Sequence, residues 1–105
     1  MSEDSQIRVP PSFVALYLAP GRHKPSQPRE VIAARYECCE DLAQALTERA
    51  QQLHFDTGVD QAQVLQRIEH GLLDPAAGVA EAEARWVVRR LAELLGWPDP
   101  WAQPG

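Results

Sequence analysis

Between Ile32 and Leu53 apolar residues recur at alternating spacings of four and three: Ile32, Tyr36, Cys39, Ala43, Leu46, Ala50 and Leu53. That rhythm sets them along one side of a helix, while Glu37, Glu40, Gln44, Glu48 and Gln51 face away. Ser26 or Gln27 can cap the start, and Pro28 suits the first turn because its missing N–H needs no partner there. The pattern predicts a first helix of about 26 residues, roughly 39 Å at 1.5 Å per residue. A helix that long needs packing partners along its length.

The second helix has the clearest start signal. Asp60 followed by Gln63 reads as a capping box, with Val59 and Val64 at the positions of a hydrophobic staple. Val64, Leu65, Ile68 and Leu72 form its buried side, and His70-Gly71 is the expected stop, Gly71 taking the left-handed conformation. Asp74-Pro75 then begins a short turn that Gly78 ends. The third helix is expected from about Ala80 to Leu95, closed by Gly96 and Pro98. Its apolar face gathers Ala80, Ala84, Val87, Val88, Leu91, Leu94 and Leu95, and Trp86 falls on the opposite side among Glu83, Arg89, Arg90 and Glu93.

These elements predict an all-α fold, a three-helix bundle in which one long helix lies against a helical hairpin. It forms a single domain over residues 12–97, with an extended lead-in at 12–27, a disordered N-terminal tail at 1–11 and a flexible C-terminal tail at 98–105. The apolar run Phe13 to Ala19 is too short to build a core or to span a bilayer. It must dock over the third helix or against a second copy.

Charge narrows the partners. A net charge of −5 over 105 residues argues against a primary role on nucleic acid or on an anionic membrane. The charge is uneven: residues 1–36 carry +2 and the remainder −7. The opening MSEDSQIRVPP has no secretory pattern. Cys38 and Cys39 are adjacent and pair with each other only under strain, so a reduced, cytoplasmic bacterial protein is expected.

The stretch APGRHKPS, Ala19 to Ser26, concentrates candidate chemistry. Matched to the phosphate loop G-x-x-x-x-G-K-[ST] on Lys24, it has Leu18 and His23 where glycines belong and Pro25 where the hydroxyl belongs. Pro20, Pro25 and Pro28 also withdraw backbone donors, so the phosphate reading fails. Metal binding fares no better: Cys38 and Cys39 point about 100° apart on a helix, and His23, His54 and His70 are scattered. Cys39 reads as a small core residue and His54 as a charge at a helix C-terminus. Ser12, Ser26 and Thr47 have no nucleophile setting. No cofactor is called for, and no catalytic or metal-binding residue stands out. Pairs at four-residue spacing, Glu81 with Arg85 and Arg89 with Glu93, account for several charges of the third helix.

Two interaction surfaces remain. One is Trp86 with Arg89 and Arg90, residue types that dominate binding energy when clustered; equally, Phe13 to Tyr17 folds over the indole, or an arginine stacks on it. The other is the cationic loop Arg22, His23 and Lys24, held extended by its prolines, with a solvated connector as the plain alternative. A helix-turn-helix reader of nucleic acid would need a less acidic body.

Taken together, PPSFVALYLAPGRHKPSQPRE, ARYECCEDLA and GVAEAEARWVVRRLAELLGW resemble a family of short, uncharacterised proteobacterial proteins labelled "ATPase with chaperone activity". The resemblance spans Val9 to Trp97. It implies a shared fold and association with an ATPase machine or its clients, and it assigns no catalytic residue. The leading expectation is a non-enzymatic protein–protein interaction or adaptor module, with a homodimer among the partner options. A chaperone-associated, ATPase-linked role and weak nucleic-acid binding are the alternatives.

Overall fold

The computed structural model of the chain describes residues 8–101. Of the tails expected at 1–11 and 98–105, residues 1–7 and 102–105 lie outside the described residues. Among these, four α-helices are present and no strand: α1 (Pro11–Val14), α2 (Arg29–Thr57), α3 (Gln61–Leu72) and α4 (Glu81–Leu95), with 3-10 turns at Ala15–Tyr17 and Pro75–Ala77. The fold is all-α. The chain divides into two compact units, one up to Cys38 and one from Cys39 onward, the boundary falling within α2.

In the first unit the expectation of an extended apolar lead-in is corrected. Pro11 to Tyr17 is helical, one α-turn followed by a 3-10 turn. Pro10 stays extended, and Pro11 stands where its fixed φ suits the first helical turn; the Pro10 carbonyl accepts from the Phe13 and Val14 amides at 3.0 and 3.1 Å. Coiling brings Phe13 fully out of solvent, where its ring meets Tyr17 and Tyr36 at centroid distances of 5.7 Å each. Both geometries are tilted or edge-on, the arrangements aromatic quadrupoles favour.

The second unit holds the three-helix core. From α2 it takes Cys39, Ala43 and Ala50, all fully buried, whereas Leu46 and Leu53 are only half-buried. Small residues therefore occupy the innermost seam of the long helix. The bulk comes from α3 and α4, where Val64, Leu65, Val87, Val88 and Leu91 are fully buried. Each such side chain contributes about 1.5–3 kcal/mol relative to exposure.

The helix ends follow local chemistry. Asp60 accepts from the Gln63 amide at 2.9 Å and caps α3. Asp74 caps the 3-10 turn by accepting from the Ala76 amide at 2.9 Å. Gly96 takes φ +72° after α4, with the Trp97 amide reaching back to the Ala92 carbonyl at 2.9 Å. α2 outlasts its expected length, running 29 residues to Thr57 before Gly58 at φ +73°.

The expected stop at Gly71 is corrected: α3 continues through it to Leu72, and Gly71 is absent from the positive-φ glycines. Leu73 closes the helix instead, its amide bonding the Glu69 and His70 carbonyls at 3.1 and 3.2 Å.

A Cβ at Gly71 would meet nothing within 4 Å. Gly71→Ala is therefore expected to raise stability by about 0.5–1 kcal/mol, since it removes backbone freedom from the unfolded chain without a clash. In a urea titration the midpoint should rise with an unchanged slope. Gly96→Ala, at positive φ, should move it the other way.

Candidate functional site

The first candidate surface is built by a closed loop. The Ser26 amide donates to the Tyr17 carbonyl at 2.6 Å, pinning the base, and the Arg22 amide donates to the Ala19 carbonyl at 3.0 Å, forming a turn with Gly21 at φ +76°. Every residue from Ala19 to Glu30 is exposed. Arg22, His23 and Lys24 occupy the tip, with no ion-pair partner among the described residues. Prolines at 20, 25 and 28 stiffen the loop and remove donors, so what it presents is side-chain charge rather than converging N–H groups.

The second candidate surface is rearranged. Projection from sequence set Trp86 on the solvent side of its helix, and this is corrected: Trp86 is 8 % exposed and Glu83 6 %. The buried arc of α4 is wider than its apolar stripe. Only Glu81, Ala82, Arg85, Arg89 and Glu93 remain exposed on α4, most of them within a sector of roughly 80° at 3.6 residues per turn. Glu83 is turned inward because its carboxylate accepts from the Ala80 amide at 2.9 Å. Ala80 has no side-chain oxygen, so half of a capping box serves the start of α4.

Arg90 is partly covered and is engaged within the fold. Its Nε donates to Glu40 Oε1 at 2.9 Å, Nη2 donates to Glu40 Oε2 at 3.0 Å, and Nη1 donates to Glu93 Oε1 at 2.9 Å. The fork fits the carboxylate bidentately and ties α4 to α2. The same hydrogen bond from Arg90 holds the Glu40 carboxyl below its ordinary value, against the opposing effect of burial and with help from Gln44 Nε2 at 2.9 Å. Arg90 is in turn held above the ordinary guanidinium range, first by Glu40 and then by Glu93.

Of the three α4 residues singled out from sequence, Arg89 is exposed, Arg90 is partly exposed and Trp86 is buried. Arg89 does not pair with Glu93. Its Nε lies 3.1 Å from Asp99 Oδ2, and its guanidinium sits 5.7 Å from the Trp101 ring centroid. Arg85 sits over the same ring at 5.0 Å, and it approaches Glu69 at 4.0 Å rather than serving Glu81. Within the stretch expected as a flexible tail, Asp99 and Trp101 thus engage α4, and the Trp101 amide bonds Asp99 Oδ1 at 2.9 Å. Sequence reasoning missed Trp101. The signal available was D-x-W directly after the helix-ending Gly-Trp-Pro, with arginines four apart on the helix before it.

His54, read as a charge at a helix end, has a defined contact there: Nδ1 donates to the Val59 carbonyl at 2.8 Å, and the ring meets Trp97 edge-on at 5.4 Å. Phe55 beside it is 87 % exposed. Cys38 is exposed and Cys39 buried, both as free thiols. Among the described residues no group of three or more His, Cys, Asp or Glu side chains is placed to hold a metal ion. No helix among them is long and apolar enough to cross a membrane.

Comparison with family models, with curated proteins and with solved structures finds no match to the chain.

Replacing Glu40 by Gln should destabilise the fold at pH 7 by about 1–2 kcal/mol, the scale of a partly buried charge-assisted hydrogen bond. Because the folded carboxyl titrates lower than in the unfolded chain, its stabilisation is complete above the ordinary value of 4.5 and is lost as pH falls through the folded value. Denaturation curves of the two proteins should therefore converge on acidification below pH 4.5.

Proposed function

We propose that this chain is a protein–protein interaction module of adaptor type, acting in the cytoplasm, rather than an enzyme. The observation that carries this reading is the closed, proline-stiffened loop that presents Arg22, His23 and Lys24 to solvent. A connector needs no base hydrogen bond and no stiffening. A presented cluster benefits from both, because less freedom is lost when a partner docks. The cytoplasmic part of the reading rests on a cysteine content of two adjacent residues, which offers no disulfide framework.

The chemistry of the loop favours a carboxylate-bearing protein surface. A polyanion such as nucleic acid would meet a chain of net charge −5. The loop also lacks the converging N–H groups that would single out a phosphate. Exposed charge pairs contribute only about 0.2–1 kcal/mol each, so the loop steers and orients a partner more than it holds one.

Arg22→Glu combined with Lys24→Glu, both on exposed residues, should leave the circular dichroism and thermal midpoint unchanged. Tagged wild type and variant are then compared as baits in native lysate at low and high salt. Specific partners should be lost from the variant, and from wild type at high salt; identical partner sets under all conditions would overturn the proposal.

A further inference from the structure

We infer that Arg85 and Arg89 form an exchangeable binding site for a segment carrying a carboxylate two residues before an aromatic ring, and that the chain's own Asp99-Pro100-Trp101 is its resident occupant. The ligand chemistry is read from that occupant. Arg85 and Arg89 stand four residues apart on α4, so their side chains emerge from the same face one turn apart. The Trp101 indole lies 5.0 Å from one guanidinium and 5.7 Å from the other, within the range at which ring quadrupole and cation attract. The Asp99 carboxylate meets Arg89 Nε at 3.1 Å, and its Oδ1 also accepts the Trp101 amide, which sets the spacing between carboxylate and ring.

The hold is weak by construction. Arg85, Arg89 and Asp99 side chains are 53, 48 and 39 % exposed, so water and salt compete for each contact. The tail stays seated because a short linker keeps it at a local concentration on the order of millimolar. Gly96 and Pro98 shape that linker. A partner segment of the same chemistry displaces it once its own additional contacts exceed that advantage. The tail then acts as an internal competitor that filters out ligands offering only the acidic and aromatic pair. This site uses none of the residues of the Arg22–Lys24 loop, and its test does not depend on that loop binding anything.

The test uses the full chain and the arginine Nε–Hε signals in a nitrogen–proton correlation spectrum. In wild type the Arg85 and Arg89 signals should be displaced by the Trp101 ring current; Trp101→Ala should move both and Asp99→Asn chiefly Arg89. The peptide acetyl-Trp-Pro-Asp-Pro-Trp-amide, titrated to several millimolar into the Trp101→Ala chain, should restore the displaced positions. Its apparent affinity for wild type should be at least threefold weaker. Binding to Trp101→Ala should be lost when Arg85→Gln and Arg89→Gln are added. The inference is overturned if Trp101→Ala leaves both arginine signals in place, if the peptide fails to shift them, or if it binds the arginine-free variant equally well.

Discussion

Alignment of α4 on α2 depends on one bidentate ion pair. Arg90 and Glu40 are 50 residues apart in sequence, and their side chains meet through nitrogen–oxygen contacts of 2.9 and 3.0 Å. The apolar seam of α2 in the second unit is made of Cys39, Ala43 and Ala50. Small residues bury little area and interlock weakly, so apolar packing alone leaves the sliding of α4 along α2 poorly specified. A planar guanidinium on a carboxylate has one favourable geometry, and a shift of one helical position breaks it. Glu93 on Nη1 and Gln44 on the carboxylate fix the two partners further. The pair is only partly buried, which limits its desolvation and lets it favour one register without a large penalty.

Cohesion in the rest of the second unit comes from α3 and α4. Val64, Leu65, Val87, Val88 and Leu91 supply the volume that α2 withholds. The first unit solves a different problem. Among the described residues its only fully buried large side chain is Phe13, and the aromatic contacts with Tyr17 and Tyr36 require α1 and the following turn to coil rather than extend. Coiling also places the Tyr17 carbonyl where Ser26 can close the loop. The cationic tip is thus a consequence of how Phe13 is buried.

Features governed by neighbours along the chain were legible in the sequence. The all-α class, the Asp60 cap and the glycine stops at 78 and 96 each follow from a side chain or φ preference acting within one turn. What was not legible depends on partners far away in sequence. A helical wheel ranks faces by apolar content, so it could not show that α4 buries Trp86 and Glu83 outside its apolar stripe. Arg85 and Arg89 were assigned to carboxylates four residues away, whereas they and Arg90 each reach a partner ten or more residues distant. Local pairs are worth a few tenths of a kcal/mol. A stacked indole or a bidentate carboxylate outcompetes them easily. Gly71 failed for the opposite reason: nothing around it demands a left-handed turn, and the helix runs on to Leu72.

The three arginines of α4 show how one helix can build the fold and present a surface at once. Arg90 lies about 100° around the axis from Arg89, which turns it toward α2, while Arg85 and Arg89 share the narrow exposed sector. Inward-facing Trp86, Val87 and Val88 hold that sector in place from behind. The outward guanidiniums are therefore carried on a helix whose rotation is fixed by packing and by the Glu40 pair. Side chains on such an element are positioned more narrowly than those on a loop. The two surfaces of this protein consequently differ in kind. Cations at 22–24 ride on a loop pinned at its base by the Ser26–Tyr17 hydrogen bond, whereas the arginines at 85 and 89 are set one turn apart on a packed helix.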